Sequence, residues 1–232
     1  MSHGAIAGHG KLALWFLAAF VALAQPASAQ FDRGFVPLRI DGVEVKWPAA
    51  AVGSPLILKW SLASGRRETV KARNCGRIDT PVLGSAVSLQ QFRAEAEAAF
   101  ALWSELAVVR FQYVADAGQA NIVIGAQVDP RDIAYTNIES NGSGHITSAL
   151  ICLNPSAAWK IGFDGNLKSH DLRYVLAHEI GHAIGLDHPG ASGQLMSFRY
   201  LERFRSPQRG DIDGLVSLYG APRRASSETA TR

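Results

Sequence analysis

His178-Glu179-Ile180-Gly181-His182-Ala183-Ile184-Gly185-Leu186-Asp187-His188 reads H-E-x-x-H-x-x-G-x-x-H, and the rest of the 232-residue chain is placed by reference to it. Residues four apart share one face of a helix, so His178 and His182 can offer two imidazoles to one metal ion. Glu179, next to the first of them, is placed to take a proton from an attacking water. Gly185 has no Cβ and can adopt a positive φ, so it can end the helix and turn the chain. That turn brings His188 back as a third ligand. Three His ligands leave a tetrahedral Zn²⁺ one open position, which separates a catalytic zinc from a closed structural one. Leu176, Ile180, Ala183 and Ile184 fall on a stripe about opposite the two histidines. The helix therefore predicts one face on a core and one in a cleft. Five specified positions at this spacing arise by chance in on the order of one chain in ten thousand.

Outward from this run, several segments read as regular structure. Pro55 to Leu62 is a core strand. Ser88 caps a helix to about Leu106, with Phe92, Ala96, Ala99, Trp103 and Leu106 at helical spacing. Val108 to Val114, Asn121 to Ile124 and Ile146 to Leu153 are strands. Ala126 to His145 and Asn154 to Asn166 read as loops, the first carrying an exposed Asn141-Gly142-Ser143 sequon. Ser169 to Asp171 caps the histidine helix, and Ser206-Pro207 opens a last helix ending near Tyr219-Gly220. Near the start, Pro37 to Ile40 and Val43 to Trp47 flank Asp41-Gly42, a favoured hairpin turn. This predicts a hairpin added at a sheet edge, or a short shield over the cleft.

The zinc run resembles the signature of the metzincin metalloproteases, and Met196 is similar to the methionine of their Met-turn. The matrixin branch is the nearest likeness. Ala99-Phe100-Ala101-Leu102-Trp103-Ser104, Ala120-Asn121-Ile122-Val123-Ile124-Gly125 and Asp211 to Gly220 resemble matrixin segments in the same order. The resemblance implies an α+β fold: a twisted, mostly parallel sheet with one antiparallel edge strand, three main helices and a Met-turn. It implies one catalytic zinc on His178, His182 and His188, with Glu179 as general base. It also implies that Ile146–Leu153 is the antiparallel edge strand, beside which an extended peptide would lie. On that reading Ile146, Ala149, Phe198 and Tyr200 line the substrate pocket. Phe198 departs from the family, which has Pro there, and lacks the hydroxyl that some metzincins carry at that position. Calcium is expected, if anywhere, on Asp129, Asp132 or Asp164. The loop before the supposed edge strand offers too few histidines for a second zinc. Asp211 matches one Asp of a last-helix pair, and Gly210 stands at the other.

Cys75 and Cys152 are the only cysteines. An even count in an exported chain suggests a disulfide. The alternatives are two free thiols, or a latch: Cys75-Gly76-Arg77-Ile78-Asp79 resembles the C-G-x-x-D cysteine switch of matrixins, although it lies after the first strand and Asn74 replaces the usual Arg.

Lys11, the apolar run Leu12 to Ala24 and Ala27-Ser28-Ala29 read as a secretory signal peptide over residues 1–29, cleaved after Ala29. The expected organisation is then an N-terminal hairpin or extension over 30–53, the catalytic domain over 54–220 and a polar, disordered tail over 221–232. Hydrophobic residues make up 47% and charged residues 19%, as in one ordinary globular domain. Net charge is +3 with a pI of 9.0. The one basic cluster, Arg199, Arg203, Arg205 and Arg209, reads as a solvated rim rather than a nucleic-acid surface. The expected protein is a monomeric, secreted or periplasmic zinc endopeptidase with no membrane span after signal removal. A catalytically silent zinc-containing peptide-binding module and a single-target processing protease or toxin are the alternatives.

Overall fold

The computed structural model describes residues 34–222, apart from 52–53, 70–72, 85, 105 and 192. The expected signal peptide and residues 223–232 of the expected tail lie outside the described residues. In chain order, β1 (Val36–Pro37), β2 (Arg39–Ile40) and β3 (Val43–Glu44) precede β4 (Leu56–Leu62), β5 (Arg67–Glu68) and β6 (Arg77–Asp79). Helix α1 (Leu89–Ser104) follows, then β7 (Val109–Tyr113), β8 (Ile122–Gln127), β9 (Ala134–Ser140) and β10 (Ile146–Leu153). β11 (Trp159–Lys160) and β12 (His170–Asp171) lead into α2 (Leu172–Ala183), β13 (Leu186–Asp187) and α3 (Arg209–Tyr219).

The main sheet runs β7-β4-β8-β10 in parallel, with β9 antiparallel at the end. β6 pairs antiparallel with the far end of β8 and carries β5. All six residues of β8 are buried, as expected for a strand covered on both faces and written as one apolar run. Helices α1 and α2 cover one face: Phe92, Trp103, Leu176 and Ile180 share a core with Leu58, Trp60, Ile122, Ile124 and Ile151. Each such side chain contributes about 1.5–3 kcal/mol by leaving water. On the other face Val123, Leu150 and Cys152 pack against Ala63, Cys75 and Ile78.

α1 begins with a reciprocal cap. Gln91 N–H donates to the Ser88 hydroxyl at 3.2 Å, and Ser88 N–H donates to Gln91 Oε1 at 3.0 Å. Trp103 Nε1–H donates to the Ala177 carbonyl at 2.9 Å and so pins α1 to α2.

Four sequence expectations are corrected. The antiparallel edge strand is β9, inside the stretch read as a loop; Ile146–Leu153 is interior, flanked by β8 and β9. α3 starts at Arg209 after Gln208, not at Pro207, because the Asp211 carboxylate accepts the Gln208 N–H at 2.6 Å. The Asp41-Gly42 turn forms, with φ of 51° and 80°, but among the described residues β2 and β3 pair only with each other. Finally, one member of the basic rim turns inward: Arg205 is half-buried and binds Asp171 and Glu95, while Arg199, Arg203 and Arg209 stay exposed as expected.

The hairpin segment is fastened by what flanks it. β1 pairs antiparallel with β13, and Lys46 bridges to His145. Among the described residues, no helix is long and apolar enough to cross a membrane.

Candidate metal centre and active site

α2 is anchored at its start by a buried carboxylate. Asp171 accepts the Tyr174 N–H at 2.9 Å and a two-pronged contact from Arg205 at 2.9 and 2.8 Å. Arg173 holds Glu95 of α1 in the same way at 2.7 and 3.0 Å. These pairs fix the helix against the core, so the direction of its histidines follows from rigid elements.

At its other end α2 is stopped by Gly185, at φ +95°. A Cβ there would lie 2.5 Å from the Val45 carbonyl oxygen. The exposed carbonyls of this end are taken up by distant groups. Trp47 Nε1–H donates to Ala183 at 2.8 Å, the Tyr219 hydroxyl to Ile184 at 2.8 Å and Leu38 N–H to Gly185 at 2.8 Å. The N-terminal segment therefore braces the turn that returns His188. Gly185→Ala combines a left-handed backbone with this collision and is expected to cost roughly 2 kcal/mol or more. A thermal melt should show Tm lower by several degrees, and a melt matching the native chain would show that the turn relaxes freely.

His188 Nε2 lies 3.1 Å from His178 Nε2 and 3.2 Å from His182 Nε2. Among the described residues this is the one group of three side chains spaced to share a metal ion. His178 Nδ1–H donates to the Leu195 carbonyl and His182 Nδ1–H to the Leu186 carbonyl, both at 2.8 Å. Those bonds put the protons on Nδ1 and leave lone pairs on Nε2, facing one another. Burial pushes the pKa of His178 and of His182 down to about 4, with the neighbouring imidazole adding to it, and lowers that of His188 as well. Three neutral imidazoles aimed at one point suit an electron-pair acceptor. The separations fit zinc, whose tetrahedral ligands at ~2.0–2.1 Å stand about 3.3 Å apart.

Glu179 is 6% exposed. Burial raises its pKa, opposed by His178 and by a hydrogen bond from Thr136. Under the histidines lies Met196, itself buried, with its thioether directly against the bare Cα of Gly181. Its turn is held by a residue the sequence did not place here. The buried Asp211 carboxylate accepts the Leu195 N–H at 2.7 Å and the Met196 N–H at 3.0 Å. Since the Leu195 carbonyl in turn orients His178, α3 reaches the centre through one loop. The sequence signals were an acidic residue three positions into the helix and its match to one Asp of the family's last-helix pair, neither of which pointed to the Met196 turn.

A family model described as Matrixin matches residues 81–220. The chain belongs to the matrixin family. It is 33% identical to a pig (Sus scrofa) interstitial collagenase over 132 residues, 53% of this chain and 27% of that one. It is 31% identical to mouse (Mus musculus) stromelysin-3 over 149 residues, 61% of this chain and 30% of that one. A hatching enzyme of Paracentrotus lividus is 28% identical over 164 residues, 65% and 26% of the two chains. The match thus spans about a quarter to a third of the length of these relatives.

In this matrixin the three histidines and Glu179 line a cleft of 530 Å³, with Thr136, Tyr174, Val175, Phe198 and Tyr200 among its walls. Two expected pocket residues are not there. Ile146 and Ala149 are 1% and 3% exposed in the core, because their strand is interior. Phe198 is 58% exposed with its ring 6.3 Å from that of His188. Tyr200 does reach the cleft, and its hydroxyl accepts the Asp171 N–H at 2.8 Å and donates to Glu202 at 2.9 Å.

Cys75 and Cys152 form a disulfide with Cα atoms 6.4 Å apart. The bonded sulfur is on the sheet face away from α2, so Cys75 is not a ligand at the histidines. The carboxylates considered for calcium already have partners: Asp129 binds Arg77, Asp132 accepts the Tyr135 hydroxyl and Asp164 binds Lys160.

Proposed function

We propose that this matrixin is an exported zinc endopeptidase that cleaves an extended peptide lying along β9. The observation that carries the reading is the convergence of three neutral imidazole nitrogens beside a buried carboxylate in one cleft. His178, His182 and His188 would hold the metal. Zinc bound there supplies Lewis acidity, bringing the pKa of water toward about 7 and polarising a peptide carbonyl. Glu179 takes the proton of the attacking water and delivers it to the leaving amine.

Among the described residues β9 pairs on one side only, with β10. Its other edge offers backbone N–H and C=O groups to a substrate strand, which gives affinity with little sequence dependence. Selectivity falls to the wall formed by Tyr174, Val175 and Tyr200. These favour a hydrophobic side chain just after the cleaved bond. Export rests on the signal-like residues 1–29 and agrees with the disulfide, which persists in oxidising compartments.

The test is hydrolysis of a mixed peptide library by the chain starting at Gln30, with zinc content measured alongside. Expected are about one zinc per chain, cleavage abolished by a chelator and restored by zinc, and an apolar residue after the cut. Full zinc with no cleavage of any peptide would overturn the broad endopeptidase reading in favour of a binding module or a single-target protease.

A further inference from the structure

Glu179 has one side-chain hydrogen-bond partner among the described residues, and it comes from the edge strand. The Thr136 hydroxyl lies 2.7 Å from Glu179 Oε2 and 3.0 Å from the Glu179 carbonyl oxygen. Glu179 sits inside α2, where its carbonyl has the amide four residues on as partner. The single hydroxyl proton is therefore free for the carboxylate. A bond from a hydroxyl to an ionised acceptor is short and strong, as this one is.

The strand delivers that hydroxyl reproducibly. Thr136 stands opposite Ile151 of β10, and Ile151 is fully buried in the core shared with the helices. Alternation along β9 sends its neighbour Asn137 to the opposite face. There Asn137 is clamped at both ends of its amide: Nδ2–H donates to the Cys75 carbonyl, and Oδ1 accepts the Asn74 N–H at 3.0 Å. Cys75 is in turn tied to Cys152 of β10. β9 is thus held from behind at the residue next to the one that touches Glu179.

We infer that Thr136 is a positioning residue for the general base: it anchors Glu179 Oε2 so that Oε1 faces the cleft as proton acceptor. This rests on the endopeptidase reading of the site. A glutamate side chain has three rotatable bonds, and an unanchored carboxylate would spread over several positions. Misplacement of a catalytic group by about 1 Å can cost up to about a hundredfold in rate. Substrate affinity, set by the strand edge and the pocket wall, does not depend on that bond.

The experiment compares the native chain with Thr136→Val, which replaces the hydroxyl by a methyl, with Thr136→Ala as a second hydroxyl-free form, and with Thr136→Ser, which keeps the hydroxyl. kcat and KM are measured separately with zinc content, and crystal structures of the zinc-loaded forms report the Glu179 side chain. Expected are kcat lower by about 10–100-fold in the Val and Ala forms, KM within about twofold, unchanged zinc, a displaced Glu179 carboxylate, and recovery of most of kcat in Thr136→Ser. Native kcat in a folded hydroxyl-free form would overturn the inference, as would a Ser form as slow as the Val form, which would assign the loss to packing. A native chain that cleaves nothing would count against the endopeptidase reading alone. The crystallographic comparison then decides: a carboxylate that moves without the hydroxyl supports the anchor, and one that stays put overturns it.

Discussion

Glu179→Gln is expected to lower peptide hydrolysis by roughly 10²–10⁴-fold while zinc stays bound at the native level. The substitution keeps the shape and the acceptor oxygen that the Thr136 hydroxyl reaches, so the fold around the site is preserved. What disappears is the group that accepts the proton of the attacking water. The three histidines do not rely on Glu179 for orientation. His178 and His182 are set by the Leu195 and Leu186 carbonyls, and His188 by the turn braced through β1. Metal analysis and steady-state kinetics on the same preparation check this. A Gln variant that retains more than about a tenth of native kcat would place the base elsewhere in the cleft.

Removing the disulfide by Cys75→Ser with Cys152→Ser should lower the unfolding free energy by about 4 kcal/mol, because it releases a 77-residue separation in the unfolded chain. That is a large share of the ~5–15 kcal/mol typical of a folded domain. Urea unfolding of the two forms measures it as a lower midpoint. The native state also loses a fastening, since the strap around Cys75 grips β9 through Asn137. Reduction of the native chain should therefore loosen the cleft rim and leave hydrolysis unchanged or lower. A rise in hydrolysis on reduction is what a thiolate latch would have produced, and it would contradict the geometry described for Cys75. A loss below about 1 kcal/mol would mean that the unfolded chain is already compact around this loop.

Much of the helical part of the molecule was legible in local sequence. α1 was readable from Ser88 and its periodic apolar residues, and α2 from the zinc run and its Asp171 cap. Each depends on residues three or four apart, so the signal lies within one window. β9 was missed for an equally physical reason. Ala134–Ser140 alternates Thr136 and Ile138 on the helix side with Tyr135, Asn137 and Glu139 on the other, and its one buried residue is the polar Asn137, so hydrophobic alternation is weak over these seven residues. The interior strand β10 was placed at the edge by resemblance, once Ala134–Ser140 had been read as loop, and its apolar run could not correct this because hydrophobicity reports burial and not position in the sheet.

The sequence by itself determined the family, the helix that carries two imidazoles on one face and the glycine turn that returns the third. It did so because ligand spacing is a property of helical pitch and of which residue tolerates a positive φ. Only the tertiary structure decided which strand borders the cleft, which hydroxyl holds Glu179, which carboxylate holds the Met196 turn and what braces the turn at Gly185. Those partners lie 15 to 147 residues apart along the chain. Pairings at that distance depend on how the sheet and helices stack, and no local pattern in the chain records it.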